Sequence, residues 1–284
     1  MSRRSATLLA ALLATAALAG EAAAAPLPPG AKYVAMGSSY AAGPGVGSPS
    51  EGPPHRCSQS ADNYAHQLAR RRGFALTDVS CSGATTSNIL GPWGDLPPQI
   101  DAVDSSVQLV TITIGGNDLN YVGGLIAASC VSAAEAAQAA GKPTHTCPDL
   151  RPPTEAAYLD LEARLRNIAA ELRRRAPAAR VVFVQYPVVL PRRGSCAAAP
   201  LSEAEANASR RVAMRLAEIT DHVAKQSGAE VLQTQLLSLG HDACAKDPWM
   251  NGYPPPGGRI DGVFYHPNLE GMTAVAKALD QMLR

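Results

Sequence analysis

Four short segments, far apart in the chain, contain the residue types that nucleophilic catalysis requires. A serine hydroxyl is a weak nucleophile until a neighbouring base takes its proton, and histidine most often does this near neutral pH. Backbone N–H groups and a side-chain amide beside the serine would stabilise the negative charge that develops on a carbonyl oxygen. The segments therefore indicate acyl transfer, and they are Met36–Tyr40 (MGSSY), Cys81–Thr86 (CSGATT), Gly115–Asp118 (GGND) and Asp261–Asn268 (DGVFYHPN).

Each of the key residues, taken alone, has an ordinary structural interpretation. A serine such as Ser39, after a glycine at the end of a strand, is most often part of a turn, and Gly83 suits a turn equally well. Asn117 alone indicates a loop hydrogen bond, and His266 alone indicates a cap of the last helix. The combination favours catalysis, because three of the segments follow strands, where a parallel sheet gathers reactive groups, and the fourth lies just before the last helix.

Apolar, β-branched segments alternate with amphipathic segments along the chain. We predict strands at 32–36, 75–79, 107–114, 181–185 and 229–233, and helices at 60–73, 154–175, 202–227 and from 269 to the C-terminus. Ser60 is the expected cap of the first helix, Ser202 and Glu205 form a capping box, and Asn268 caps the last helix. The alternation predicts an α/β fold with a mostly parallel central sheet covered on both faces.

The first 25 residues have the features of a secretory signal peptide. Arg3 and Arg4 precede the apolar run Thr7–Ala19, and the small residues Ala22–Ala25 offer a cleavage site. The run is too short to span a bilayer comfortably, and no later stretch approaches a transmembrane length. We therefore expect secretion, to the extracellular space or the periplasm, without stable membrane insertion.

The remaining chain, residues 26–284, has no internal repeat and no change of composition, so we expect one domain. Within it, the Gly/Ala-rich stretch 119–150 is interpreted as an insertion beside the sheet. The formal net charge of +1 gives no electrostatic reason to expect a nucleic-acid partner. Oligomeric state leaves no signal in the sequence, and a monomer is the default expectation.

Six cysteines follow the predicted signal peptide, and an even number in an exported chain indicates disulfide bonds. They include no CxxC pair and no histidine pattern typical of zinc, so we expect no metal and no other cofactor. Six cysteines allow fifteen pairings. The simplest pairing follows chain order: Cys57 with Cys81, Cys130 with Cys147, and Cys196 with Cys244.

In these segments the chain resembles a known family. Its four segments are similar to the four sequence blocks of the SGNH (GDSL-like) hydrolases, and three further segments resemble the secreted esterase/lipase branch with three disulfides. The resemblance implies a flavodoxin-like three-layer fold, metal-free ester hydrolysis and disulfide pairing in chain order. It also implies that Ser39 is the nucleophile, that His266 is its base, and that the Ser39 N–H, the Gly83 N–H and the Asn117 side chain form the oxyanion hole. The further segments are Cys57-x-x-Ser60-x-x-Asn63-Tyr64, Ser80–Thr85 (SCSGAT) and Gly240-His-x-x-Cys244 followed by Trp249.

Two positions depart from the family pattern. Ser38 replaces the aspartate that usually precedes the nucleophile, which questions the packing of that turn. Val263 stands where the family commonly has an aspartate that orients the histidine. Asp261 could replace it as a third catalytic member if the intervening residues bulge. The alternative, which we favour, is a backbone carbonyl near Val263 that accepts the N–H of His266 and gives a dyad.

These observations predict a secreted esterase or lipase that hydrolyses carboxylic esters, with a small-molecule or lipid ester as substrate and a role in lipid degradation. A carbohydrate (acetyl) esterase on the same fold is one alternative. A non-catalytic secreted binding module is another. The α/β-hydrolase motif GxSxG, the dinucleotide motif GxGxxG and the P-loop do not occur.

Overall fold

The computed structural model describes residues 26–50, 55–144, 146–253 and 262–284. Five strands form one parallel sheet in the order β2-β1-β3-β4-β5. This is the flavodoxin-like order, in which the chain reverses its direction of winding between β1 and β3. The strands are β1 Lys32–Gly37, β2 Ala75–Asp78, β3 Leu109–Thr113, β4 Arg180–Val184 and β5 Glu230–Leu232.

In the described ranges eight α-helices connect or follow the strands, and the expected α/β architecture is confirmed. The long helices at 154–175 and 202–227 and the C-terminal helix begin within one residue of their expected first residues. The helices are α1 Ser39–Ala42, α2 Tyr64–Arg72, α3 Thr86–Leu90, α4 Tyr121–Ala139, α5 Glu155–Arg175, α6 Glu203–Ser227, α7 Thr234–Leu237 and α8 Leu269–Met282.

Apolar residues on the two faces of the sheet belong to two separate cores. Val34 and Met36 of β1 pack with α4, α5 and α6, whereas the alternate residues Tyr33 and Ala35 pack with α2 and α8. Successive side chains of a strand point to opposite faces, so a strand that is apolar at every position becomes buried on both sides. The result is the three-layer arrangement that the strand pattern predicts.

Local capping explains where several helices begin. Ser202 and Glu205 form the expected capping box of α6, and the Asn268 side chain accepts the Gly271 N–H at 2.9 Å at the start of α8. The expected cap of α2 is wrong, because Asn63 caps this helix. The Ser60 hydroxyl instead donates to the carbonyl of Val46 at 2.5 Å, which braces the loop before the helix.

The stretch 119–150 differs from its expected role as an insertion, because it contains the 19-residue helix α4. Tyr121 and Leu125 of this helix are buried in the core beside α5 and α6. Among the described residues, α4 alone is long and apolar enough to cross a membrane by length and composition. The expectation that no stretch after residue 25 approaches that length is therefore wrong for α4.

The cysteines pair in chain order, as expected, as Cys57–Cys81, Cys130–Cys147 and Cys196–Cys244. The first pair joins the segment before α2 to the turn that follows β2. The second joins α4 to the segment before α5. The third joins two loops that follow the carboxyl ends of β4 and β5. Two of the three disulfides thus lie beside turns at the edge of the sheet where the candidate site is expected.

Candidate active site

The nucleophile turn, which consists of Gly37, Ser38 and the candidate nucleophile Ser39, lies at the end of β1 and depends on Gly37. This glycine has a φ of +131°, and a Cβ at its position would lie 2.2 Å from the carbonyl oxygen of Thr113. Both observations require glycine, because β1 and β3 approach closely where they end. The Ser38 N–H donates to the same Thr113 oxygen at 2.9 Å. Ser39 then begins α1, so its N–H has no partner within the helix.

Ser39 and His266 are in direct contact at this edge of the sheet. His266 Nε2 lies 2.7 Å from Ser39 Oγ, and His266 Nδ1 lies 2.8 Å from the carbonyl oxygen of Phe264. A carbonyl only accepts, so Nδ1 carries the proton and donates it to Phe264. Nε2 therefore presents a lone pair to the Ser39 hydroxyl, which is the arrangement that a general base requires.

Burial sets the protonation state of the histidine. His266 is 7% exposed, and this desolvation lowers its pKa to about 4, although the Phe264 carbonyl opposes the shift by stabilising the charged ring. The Tyr40 ring packs against the imidazole with 4.9 Å between centroids, and the Tyr40 hydroxyl donates to the carbonyl of Tyr265. The imidazole of His266 is therefore neutral at pH 7, and it is held by the Phe264 carbonyl and the Tyr40 ring.

Two further turns lie next to the nucleophile turn and are tied to it and to each other. The turn at Gly83 is linked to the end of β1 by a hydrogen bond from the Cys81 N–H to the Gly37 carbonyl, at 3.0 Å. The Asn117 side chain donates to the Ala84 carbonyl at 2.8 Å. This bond uses one amide hydrogen of Asn117 and leaves the other available to a ligand.

Asp118 adds a second bond between these two turns. Its carboxylate accepts the backbone N–H of Thr86 at 3.0 Å and also the Thr86 hydroxyl, at the first turn of α3. Gly83 has a φ of +89°, and a Cβ there would lie 3.1 Å from the Trp93 ring. Hydrogen bonds thus join the turns of Ser39, Gly83 and Asn117 at one edge of the sheet, with His266 in contact with Ser39.

A family model described as "GDSL-like Lipase/Acylhydrolase family" matches residues 35–274. The chain belongs to this family. Its relative "Lipase" from Streptomyces rimosus is 33% identical over 279 residues, which are 96% of this chain and 95% of that protein. This GDSL-like chain is therefore an ester hydrolase, with a fold that solved hydrolase structures share.

Two solved structures resemble most of the GDSL-like chain. Phospholipase A1 from Streptomyces albidoflavus NA297 has a TM-score of 0.71 and 27% identity, over 89% of this chain and 99% of that one. The extracellular lipase from Streptomyces rimosus has a TM-score of 0.69 with the same identity and the same coverage. The α/β fold expected from the strand pattern is therefore a GDSL-like hydrolase fold.

The structure brings together Ser39, His266, Gly83 and Asn117, which are four of the residues singled out in the sequence. The partner of the histidine ring is the carbonyl of Phe264, one residue beyond Val263, while the Val263 carbonyl accepts the His266 backbone N–H at 3.2 Å. The carboxylate alternative, Asp261, lies outside the described residues. Within the described part of this GDSL-like chain, a carbonyl orients the base.

Sequence reasoning missed two residues that hold the nucleophile turn. The buried Gln99 side chain accepts the Gly37 N–H at 2.7 Å and donates to the Gly37 carbonyl at 3.0 Å. Nothing in the segment around Gln99 signals this role. Tyr186 bonds to Ser38 at 3.0 Å, and it lies just beyond a predicted strand, where the carboxyl-end rule could have identified it.

Proposed function

We propose that this chain hydrolyses carboxylic esters through an acyl-enzyme on Ser39, with His266 as general base and then general acid. The 2.7 Å contact between Ser39 Oγ and His266 Nε2 carries the proposal. Ser39 Oγ bonds to the ester carbonyl carbon while its proton moves to Nε2, and this proton then leaves with the alcohol. Water next attacks the acyl carbon, Nε2 takes its proton and returns it to Ser39 Oγ, and the carboxylic acid is released.

The negative charge on the carbonyl oxygen in each step requires fixed donors. The N–H groups of Ser39 and Gly83 and the free amide hydrogen of Asn117 are our candidates for this oxyanion hole. The bond from Asn117 to the Ala84 carbonyl supports this role, because it fixes the amide before the substrate arrives. Donors that are already oriented stabilise the transition state without a reorganisation cost.

We further propose that Phe264, through its carbonyl oxygen, replaces the third catalytic carboxylate. A carbonyl 2.8 Å from Nδ1 fixes the histidine tautomer but stabilises the imidazolium less than a carboxylate would. The side chain of Asp261 then has no essential part in catalysis.

Hydrolysis by three variants tests these roles directly. We expect Ser39→Ala and His266→Ala to lose at least about 10⁴-fold in kcat, because each removes a member of one reacting unit. Asp261→Asn should retain kcat within about threefold of the wild type, whereas a carboxylate-assisted triad would lose roughly a thousandfold or more. Ser227→Ala, at the far end of α6, serves as the matched control.

A fluorophosphonate adduct on Ser39, located by mass spectrometry, would exclude a non-catalytic binding module.

We propose small-molecule or lipid esters as the substrates. The names of the similar proteins, a lipase and a phospholipase A1, support an acyl substrate. A series of p-nitrophenyl esters of increasing chain length, run beside acetylated xylan, distinguishes this from a carbohydrate esterase. Release of acetate from the xylan with no turnover of the longer esters would contradict the lipid-ester assignment.

We also propose that the chain is secreted as a single monomeric domain, residues 26–284, without stable membrane insertion. The three disulfides support an oxidising compartment, and a similar Streptomyces lipase is described as extracellular. The packing of Tyr121 and Leu125 in the core supports α4 as part of the soluble fold. Mass spectrometry of the exported protein should find cleavage near residue 25 and no free thiol. Retention of the whole precursor in the membrane fraction would contradict secretion.

A further inference from the structure

Tyr186 is a buried tyrosine at the edge of the sheet that contains the site, two residues beyond the end of β4. It is 4% exposed, and its ring packs against Tyr40 at 4.5 Å and against Tyr121 at 6.3 Å between centroids. Its hydroxyl lies 3.0 Å from Ser38 Oγ and 3.0 Å from the backbone nitrogen of Gly116. It therefore touches the nucleophile turn and the turn of Asn117 at once.

One hydrogen bond of this bridge has a fixed direction. The Gly116 N–H can only donate, so the Tyr186 oxygen accepts there, and the hydrogen of Tyr186 remains available for Ser38 Oγ. The Ser38 hydroxyl donates in turn towards the carbonyl of Thr113, at 3.5 Å. Burial raises the pKa of Tyr186 to about 12, so the hydroxyl keeps its proton throughout the range in which esterases work.

The Tyr186 ring packs directly against the backbone of Gly116. A Cβ at Gly116 would lie 2.7 to 2.8 Å from the ring and the hydroxyl of Tyr186. The position therefore requires glycine for space, because the backbone at Gly116 passes directly over the tyrosine. Gly116 immediately precedes Asn117, just as Ser38 immediately precedes Ser39.

We propose that Tyr186 is a positioning residue for ester hydrolysis, which holds the Asn117 turn in register with the nucleophile turn. The proposal rests on the proposed function of Ser39 and Asn117. The ester carbonyl must be bonded to Ser39 Oγ and hydrogen-bonded by Asn117 at the same moment, so the separation of the two turns determines how well the oxyanion is stabilised. Ser38, which replaces the usual family aspartate, supplies the hydroxyl that pairs with Tyr186 in this bridge.

The test compares Tyr186→Phe with Tyr33→Phe. Tyr33 is a matched control, because it is equally buried and its hydroxyl lies 2.7 Å from the Thr111 hydroxyl, near the opposite end of β1. Both variants lose one buried hydroxyl and should lose similar stability. We expect Tyr186→Phe alone to lower kcat by about tenfold, with KM within twofold of the wild type. We also expect it to weaken inhibition by a trifluoromethyl ketone, which forms a tetrahedral oxyanion on Ser39, by the same factor.

Ser38→Ala breaks the same bridge from the other side and keeps the test valid if Tyr186→Phe folds poorly. Its kcat should fall similarly, and the double variant should be no slower than the slower single variant, because a broken bridge has nothing more to lose. The proposal is overturned if Tyr186→Phe retains the kcat of Tyr33→Phe, or if the losses in kcat of the two single variants multiply. If the wild-type enzyme showed no ester hydrolysis that Ser39→Ala abolishes, this would instead contradict the proposed function.

Discussion

The surroundings of the buried His266 ring favour its neutral form. His266 has the carbonyl of Phe264 on one ring nitrogen and the Ser39 hydroxyl on the other, with no charged partner at hydrogen-bonding distance among the described residues. An imidazolium at this place would lose its hydration and would find no carboxylate within the described part of the chain. The neutral ring is therefore the stable form, and it is also the form that can accept the serine proton.

This state predicts the pH dependence of hydrolysis. Burial lowers the pKa of His266 to about 4, and the active form is the deprotonated one, so kcat/KM should remain high at pH 6 and fall only as the pH approaches the folded-state pKa. We expect the acid limb of the profile to have its midpoint between about pH 4 and 5, below the ordinary histidine pKa of about 6.5.

The measurement is kcat/KM for a neutral ester between pH 3.5 and 8, with circular dichroism at each pH to verify that the enzyme stays folded. An acid limb centred at pH 6 to 7 would contradict the desolvated base, and it would instead indicate a carboxylate beside the ring. The profile of Asp261→Asn, superimposed on that of the wild type, is the matching control for that carboxylate.

At the scale of elements, the site depends on where strands end and helices begin. His266 lies two residues before Asn268, whose side chain both caps α8 and donates to the carbonyl of Pro248 at 2.8 Å. The cap therefore anchors the loop that carries the base as well as the helix that follows it. By contrast, the capping box of Ser202 and Glu205 serves α6, and its hydrogen bonds with described residues include none to Ser39, His266, Gly83 or Asn117.

Removal of these two caps should separate stability from activity. Asn268→Ala and Ser202→Ala should each lower the free energy of unfolding by about 1 kcal/mol, since each removes one capping acceptor. Only Asn268→Ala should also lower kcat, by about tenfold, because the histidine loop loses its anchor. Urea denaturation and steady-state kinetics on both variants provide the test, and an equal kcat in the two would contradict the anchoring role.

Most strands and long helices could be predicted from the sequence, but one helix and one helix cap could not. The strands were predictable because β-branched runs such as β3 are buried on both faces, and the long helices because their apolar stripes follow the helical period. The helix α4 was missed because alanine and glycine leave no contrast between its faces. The cap of α2 was misplaced by three residues because Ser60 and Asn63 are equally suitable by type, and only the packing of the preceding loop distinguishes them.

For the site, sequence reasoning found the residues whose chemistry is reactive and missed those that hold them. Ser39 and His266 each have an ordinary structural interpretation alone, and they became recognisable because their segments occur together with those of Gly83 and Asn117. Gln99 and Tyr186 act through bonds to backbone atoms of distant turns, and such bonds depend on the three-dimensional path of the chain. The choice of the Phe264 carbonyl over its neighbour likewise follows from the shape of one loop, which no residue type encodes.

At the scale of the whole molecule, three disulfides connect segments outside the sheet, and they do not all serve the same purpose. Cys57–Cys81 lies beside the site: the Cys81 N–H bonds to the Gly37 carbonyl, and the Cys57 carbonyl accepts the N–H of Ser82, the neighbour of Gly83. Cys130–Cys147 joins α4 to the segment before α5 and does not join the Gly83 turn to another segment.

Replacement of each pair by alanines should therefore give different kinetic results for a similar loss of stability. The two pairs are 24 and 17 residues apart in sequence, and loops of this size imply a loss of about 3 kcal/mol each, mainly because the unfolded chain gains freedom. The variant without Cys57–Cys81 should also lose about tenfold in kcat, since its Gly83 turn is no longer joined covalently to the segment before α2 and is held there only by hydrogen bonds. The variant without Cys130–Cys147 should keep the kcat of the wild type wherever it remains folded. Urea denaturation measures the loss of stability in each variant. Separate hydrolysis assays at low temperature, where both variants stay folded, measure kcat. An unchanged kcat in the first variant would mean that the hydrogen bonds among the turns suffice without the covalent link.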